Sequence, residues 1–162
     1  MYFIEEKRIK QFVFEQQLKA EYWDWEEDKL KLFDDWKENK SLIFEEIYHR
    51  LKTLESEKVK LECIALIVHY LDKNDLNEFI FPHVHLYGRY SDKRTLARIA
   101  KILGIKEQYI EIPKNGNKYF EENQLAYLTH VQQPDKYQYP PHEVESFGTL
   151  DYSNFILINT KK

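Results

Sequence analysis

A single cysteine, Cys63, is all the thiol this chain carries, so an internal disulfide is excluded. Cys63 sits inside an apolar run and reads as a small core residue, which suits a reducing, cytoplasmic setting. One cysteine is also too few for a structural zinc domain. Four glycines leave no Gly-rich loop to cradle phosphates. No apolar run approaches the roughly 20 residues that span a bilayer, so no membrane association is expected. The amino-terminal stretch "MYFIEEKRIKQF" has acids where a secretory signal has an apolar centre. Internal repeats and low-complexity segments are missing too.

What is present suits one domain over residues 1–162, with a hydrophobic fraction of 43% and an aromatic fraction of 15% to fill a core. The net charge of −4 argues against a general nucleic-acid binder. The average hides an asymmetry, however. Residues 86–120 hold eight bases against three acids, whereas "EYWDWEEDKL" (21–30) holds five acids and one lysine. One region can face phosphates while another repels them, although two solvated faces would give the same counts.

The periodicity gives a coarse element order. "RIKQFVFEQQ" (8–17) alternates like a strand. Residues 18–40 are acidic and rich in tryptophan, and read as an insertion or helical extension anchored by Trp23, Trp25 and Trp36. "SLIFEEIYHRLKTLESEK" (41–58) predicts a helix capped by Ser41, with Leu42, Ile43, Ile47, Leu51 and Leu54 inward. "VKLECIALIVHYL" (59–71) and "IFPHVHLYGRY" (80–90) read as strands that pair antiparallel through the polar turn 72–79. "SDKRTLARIAKILG" (91–104) predicts a helix capped by Ser91 and stopped by Gly104. A short strand at 109–113, a turn at 115–119, a helix at 119–131 and an irregular tail with a late strand complete the chain. The order β-α-β-β-α-β predicts an α+β fold of the split βαβ (ferredoxin-like, RRM-like) plan. Its antiparallel sheet has helices packed on one face and a site on the open face.

His83 and His85 flank Val84 on a strand, so both imidazoles share a face. Alone, that pair suits a wet sheet face as well as a metal. His69, at the end of the neighbouring strand, and Asp72, at the start of the turn, come close to it if the strands pair. Three imidazoles and a carboxylate suit a first-row divalent ion, and the carboxylate widens the choice toward Mn²⁺ and Mg²⁺. In "LAYLTH" (125–130), Tyr127 and His130 lie one helical turn apart on one face. A tyrosine can attack a phosphodiester beside a metal. With twelve tyrosines in the chain, simple packing explains Tyr127 equally well.

"FPHVHLYG" resembles the His-hydrophobe-His motif of HUH endonucleases, and "VHYLDKND" resembles the upstream metal motif of RepB-type rolling-circle plasmid replication initiators. "LAYLTHVQQPDKYQYPPHEVESFG" is similar to the segment of those proteins that carries and follows the nucleophilic tyrosine. The resemblance spans roughly residues 59–150. It implies a single nicking domain of a bacterial, cytoplasmic initiator, with His69, Asp72, His83 and His85 as ligands of Mn²⁺ or Mg²⁺ and Tyr127 as nucleophile. Asp75 is the alternative acidic ligand. His130 is a candidate general base or support. Arg89, Lys93, Arg94 and Lys118 are expected on the backbone of single-stranded origin DNA, and Tyr119, Tyr137 and Tyr139 on its unpaired bases. Glu121 and Glu122 are candidates for activating a terminating nucleophile. The implied reaction makes a 5′-phosphotyrosyl link and a free 3′-OH primer. A mobilisation relaxase or a catalytically silent DNA-binding relative are the alternatives, and the downstream position of Tyr127 favours the initiator. Oligomerisation through regions outside this chain is a further expectation of the resemblance.

Overall fold

β-branched and aromatic residues spaced at two build β1 (Arg8–Gln17), where Phe12 and Phe14 are buried on one face and Val13 on the other. The computed structural model describes residues 6–114 and 117–160. The sequence readings at residues 1–5 and the first two positions of the 115–119 turn lie outside the described residues. β2 (Leu61–His69), β3 (His83–Thr95), β4 (Ile110–Glu111) and β5 (Glu145–Gly148) complete a five-stranded sheet in the order β4-β1-β3-β2-β5. All four pairings are antiparallel. The fold is α+β, as the element order predicts. β3 lies at the centre, so its first half, from His83 to Gly88, is buried from both sides and the polar side chains there need partners.

One face of the sheet carries α2 (Trp36–Lys52) and α3 (Leu96–Leu103). Ile43, Phe44, Ile47 and Leu51 of α2 are fully buried against Phe12, Leu66 and Leu86 of the sheet. Each such side chain contributes about 1.5–3 kcal/mol by leaving water. α4 (Phe120–Thr129) and α5 (Tyr152–Thr160) pack against part of the other face through Phe120, Leu125, Leu128 and Tyr152. That second layer is what turns the open face into a walled site, because the end of α4 stands over the strand ends.

Several local expectations shift. α2 begins at Trp36 rather than at Ser41, whose hydroxyl donates instead to Glu145 Oε1 at 3.0 Å. Leu42 is exposed, and Phe44 takes an inward position beside Ile43 and Ile47. Ser91 does not cap α3 either. β3 runs on to Thr95 because Ser91 bonds to Lys60 through N–H and hydroxyl, at 2.8 and 2.9 Å. Thr95 is the cap and accepts from Arg98 N. Gly104 does end α3, at φ +74°. α5 is an element the sequence reading missed, since "DYSNFILI" lacks a clear helical stripe.

The tryptophan-rich stretch is tied to the body. Trp23 Nε1 donates to Gln17 O and Trp25 Nε1 to Leu103 O, at 2.7 and 2.8 Å. Trp23 meets Phe33 edge-on and Trp25 meets it at a tilt, against the α2 and α3 layer. Trp36 packs on Tyr70 instead. Among the described residues no helix is long and apolar enough to cross a membrane.

Cys63 is buried in the second core layer, and burial pushes its thiol up to about 11. The thiol therefore stays protonated through pH 8. Ellman's reagent at that pH is expected to leave the folded protein unmodified and to titrate one thiol after denaturant is added. A rapid native reaction would contradict the packing.

Candidate metal and nucleophile site

The register of β2 against β3 sets the site. His69 lies directly opposite His83, and Ile67 opposite His85. Strand periodicity then turns all three imidazoles to the face that α4 covers. Asp72 follows in the β2–β3 connection, where its backbone O accepts from Ile80 N at 2.8 Å. That bond closes the connection and holds the Asp72 side chain over the histidines.

Three of the four histidines here have one nitrogen committed to a backbone carbonyl. His69 Nε2 donates to Leu128 O at 2.7 Å, His83 Nδ1 to Phe81 O at 3.0 Å, and His130 Nδ1 to Tyr137 O at 2.8 Å. A carbonyl only accepts, so these nitrogens carry the hydrogens and the opposite nitrogens carry lone pairs when the rings are neutral. His69 Nδ1 lies 3.2 Å and His83 Nε2 lies 3.3 Å from the same oxygen, Asp72 Oδ2. His83 Nε2 is also 3.0 Å from Glu15 Oε1. Lone pairs facing carboxylates need a cation between them, either a proton or a metal ion. His85 Nδ1 and His130 Nε2 are buried with no hydrogen-bond partner among the described residues. The site thus concentrates unfilled donor atoms, the condition a divalent ion satisfies.

The electrostatics follow from these contacts. Burial alone would raise the Asp72 carboxyl, but contacts from His69 and His83 and the Tyr139 hydroxyl hold it well below the usual carboxylate range. Burial lowers His83, but the contacts with Asp72, the Phe81 carbonyl and Glu15 together outweigh it, so His83 lies above its ordinary value. Burial drives His85 well below the ordinary imidazole value and lowers His130 as well. Asp72 rather than Asp75 contacts the histidines, and Asp75 is an exposed residue of the adjoining cleft.

Tyr127 stands at the same place. Its ring centroid is 5.1 Å from that of His85 and 4.9 Å from that of His130. Its hydroxyl accepts from Lys136 Nζ at 2.9 Å. His130 follows α4 at φ +62°, a left-handed residue at the helix end, which swings its ring back over His69 at 4.6 Å between centroids. Ligating atoms of His69, Asp72 and His130 all lie within 4.8 Å of one another. Sequence reasoning missed Glu15 and Lys136. Glu15 is visible only once β1 is paired with β3, opposite His85. Lys136 was in plain view in "PDKYQY", but nothing local aims it at Tyr127.

Tyr139 corrects an expectation. It is 2% exposed, stacks on His69 at 4.6 Å, and its hydroxyl donates to Asp72 Oδ1 at 2.7 Å. It holds the acid in place and has no face free for a base. Tyr119 and Tyr137 are exposed.

The family model for the plasmid replication protein origin-binding domain matches residues 49–153, more than half of the chain. The chain belongs to this family. It is also 27% identical over 103 residues to the replication protein RepB of Lactiplantibacillus plantarum, a match covering 63% of this chain and 45% of that protein. The chain therefore spans less than half the length of that curated relative. The matched span of the origin-binding domain includes His69, Asp72, His83, His85, Tyr127 and His130; β1 with Glu15 and the tryptophan-rich stretch precede it.

The expected phosphate contacts divide within this origin-binding domain. Lys93 and Lys118 are exposed. Arg94 donates to Leu54 O at 2.8 Å and to Ser56 Oγ at 3.0 Å, which ties it to the turn after α2. Arg89 is engaged by Glu62 and by Glu121, and Glu121 also accepts from the Tyr87 hydroxyl. This half-buried network ties the first turn of α4 to β3. Glu121 is thus occupied in bracing the helix that carries Tyr127, and Glu122 is exposed. Arg89→Gln is expected to lower stability by about 1–3 kcal/mol, the cost of leaving half-buried carboxylates without their partner. It should leave the salt dependence of DNA binding unchanged. A slope reduced by about 0.7 per lost phosphate contact would identify Arg89 as a DNA contact instead.

Proposed function

We propose that this origin-binding domain nicks and rejoins single-stranded plasmid origin DNA through Tyr127 and one divalent ion, Mn²⁺ or Mg²⁺. His69, Asp72, His83 and His85 would hold the ion. The observation that carries the reading is the unfilled donor set, with lone pairs of His69 and His83 on one Asp72 oxygen, beside the Tyr127 ring and hydroxyl. When bound, the ion polarises the scissile phosphate and offsets charge that builds on it.

The chain's own groups do the rest. Lys136 orients the Tyr127 oxygen through its hydrogen bond, and the His85 and His130 rings limit the swing of the phenol. The Tyr127 oxygen attacks phosphorus, the bond from phosphorus to the 3′ oxygen breaks, and a 5′-phosphotyrosyl link forms. The phenol loses one proton and the leaving 3′ oxygen gains one. Attack by a 3′-OH on the phosphotyrosine reverses the step and rejoins the strand. One phosphodiester is exchanged for another, so no nucleotide cofactor is needed. Lys93 and Lys118 supply backbone contacts.

A panel of labelled origin-hairpin and unpaired oligonucleotides, run on a denaturing gel with Mn²⁺ or with EDTA, tests the reading. A metal-dependent covalent adduct with a free 3′-OH product is expected. Oligonucleotide binding with bound metal and no adduct on any member of the panel would reduce the domain to a catalytically silent DNA-binding module.

A further inference from the structure

The segment "DKNDLNEF" reads from sequence as nothing more than a polar turn. In the structure it is an organised hairpin. Asn74 N donates to Glu78 O at 2.9 Å and Asn77 N to Asn74 O at 3.0 Å. Asn74 Oδ1 accepts from Leu76 N and Glu78 N at 2.9 and 3.0 Å. Lys73 and Phe79 form a β-bridge, and Asn77 takes φ +60°. A turn braced this way holds its side chains outward. Leu76, Phe79 and Phe81 are 76%, 63% and 44% exposed. Two large apolar side chains on one ordered turn, with a third just beyond it, are costly to leave in water unless something covers them.

The surroundings say what covers them. A cleft of about 700 Å³ runs between this hairpin and residues 135–137 and reaches Asp72 and Tyr127. Phe79 lines one side and Tyr137, 44% exposed, lines the other. Lys73 Nζ lies 5.0 Å from the centre of the Phe79 ring, and Lys19 Nζ lies 4.8 Å from that of Phe81. An aromatic ring can offer a stacking face to an unpaired base while a neighbouring ammonium pairs with its phosphate. Glu15, Asp72, Asp75 and Asp135 also line the cleft and outnumber Lys73 and Lys136. Charge therefore does little of the binding, and stacking carries it.

We infer that the β2–β3 hairpin, with Tyr137 across the cleft, is a stacking site for unpaired nucleotides next to the phosphate that Tyr127 attacks. The inference rests on the proposed function, because it places the cleaved strand in the cleft that leads to Tyr127. Paired bases are already stacked and cannot open onto a side chain, so the site selects unpaired DNA beside the nick.

The test uses the full chain in EDTA, so that no cleavage occurs, with an oligonucleotide that the wild-type protein nicks when Mn²⁺ is present. 2-Aminopurine is placed at each position around the nick in turn. Quenching is expected at one or two positions flanking the cleaved phosphate. Phe79→Ala should abolish it and weaken binding about 5- to 150-fold, the effect of losing one stacked base. Phe79→Trp should restore both, and raising the salt should reduce affinity only shallowly. Unchanged quenching with affinity within twofold in Phe79→Ala overturns the inference and leaves the nicking reading standing. The same result joined to a change in sedimentation marks the hairpin as a protein contact, which also overturns it. A wild-type protein that nicks none of the panel overturns the nicking reading, and the stacking site with it.

Discussion

Tyr127→Phe is expected to remove the covalent protein–DNA adduct altogether, with nicking reduced by a factor on the order of 10⁴–10⁶. The substitution takes away one oxygen and little else. The hydroxyl bonds only to exposed Lys136 among the described residues, while the ring packs beside His85 and His130, and phenylalanine keeps that packing. Melting temperature and oligonucleotide affinity in EDTA should therefore stay close to wild type. The measurement is a denaturing gel with peptide mass mapping of the adduct. Adduct retained by the phenylalanine variant, or mapped to another tyrosine, would sink the assignment.

Asp72→Asn is the second large effect, and it is expected to act on the proposed ion. Asp72 is the acid shared by His69 and His83, and Tyr139 keeps its other oxygen in place. Replacing it by an amide removes the negative charge and puts a donor into a cluster of lone pairs. Affinity for Mn²⁺ should fall by at least about 100-fold, beyond what loss of an outer-shell partner costs. Calorimetric titration reads this directly. Thermal melts give a second readout, since an ion at 100 times its dissociation constant stabilises the wild-type fold by about 2.7 kcal/mol and should barely move the variant. The metal-free proteins differ in pH dependence as well. The folded-state value of Asp72 is depressed, so its contribution is present above the unfolded value of about 3.9 and is lost as pH falls below it. The asparagine variant lacks that component of the acid loss. Equal Mn²⁺ affinity in the two proteins would remove Asp72 from the site.

The two effects separate the parts of the proposed reaction. Tyr127→Phe should bind Mn²⁺ and DNA and fail in chemistry. Asp72→Asn should keep Tyr127 and fail for want of the ion.

How much of this could be read in advance differs from residue to residue. The shared face of His83 and His85 follows from strand periodicity, and the approach of His69 follows from a short turn between two strands. Both are local rules, and the register bears them out. Gly104 ends its helix because a left-handed residue is needed there, which is equally local. Ser41 and Ser91 fail as caps because a cap is defined by where the element starts: α2 begins before Ser41, and α3 begins only after β3 has run past Ser91.

The sequence by itself determined the α+β element order, the alternation that gathers the histidines, the buried lone thiol and the motif that carries Tyr127. Only the tertiary structure set Asp72, and not Asp75, against His69 and His83, committed Arg89 to Glu62 and Glu121, buried Tyr139 under His69, and brought Glu15 and Lys136 beside them and Tyr127. It also made an exposed aromatic hairpin out of a polar turn. The division has one physical cause. Backbone periodicity and turn chemistry act over a few residues and are written in the local sequence, whereas the partner of a charge or a ring is set by strand register and helix packing between distant segments.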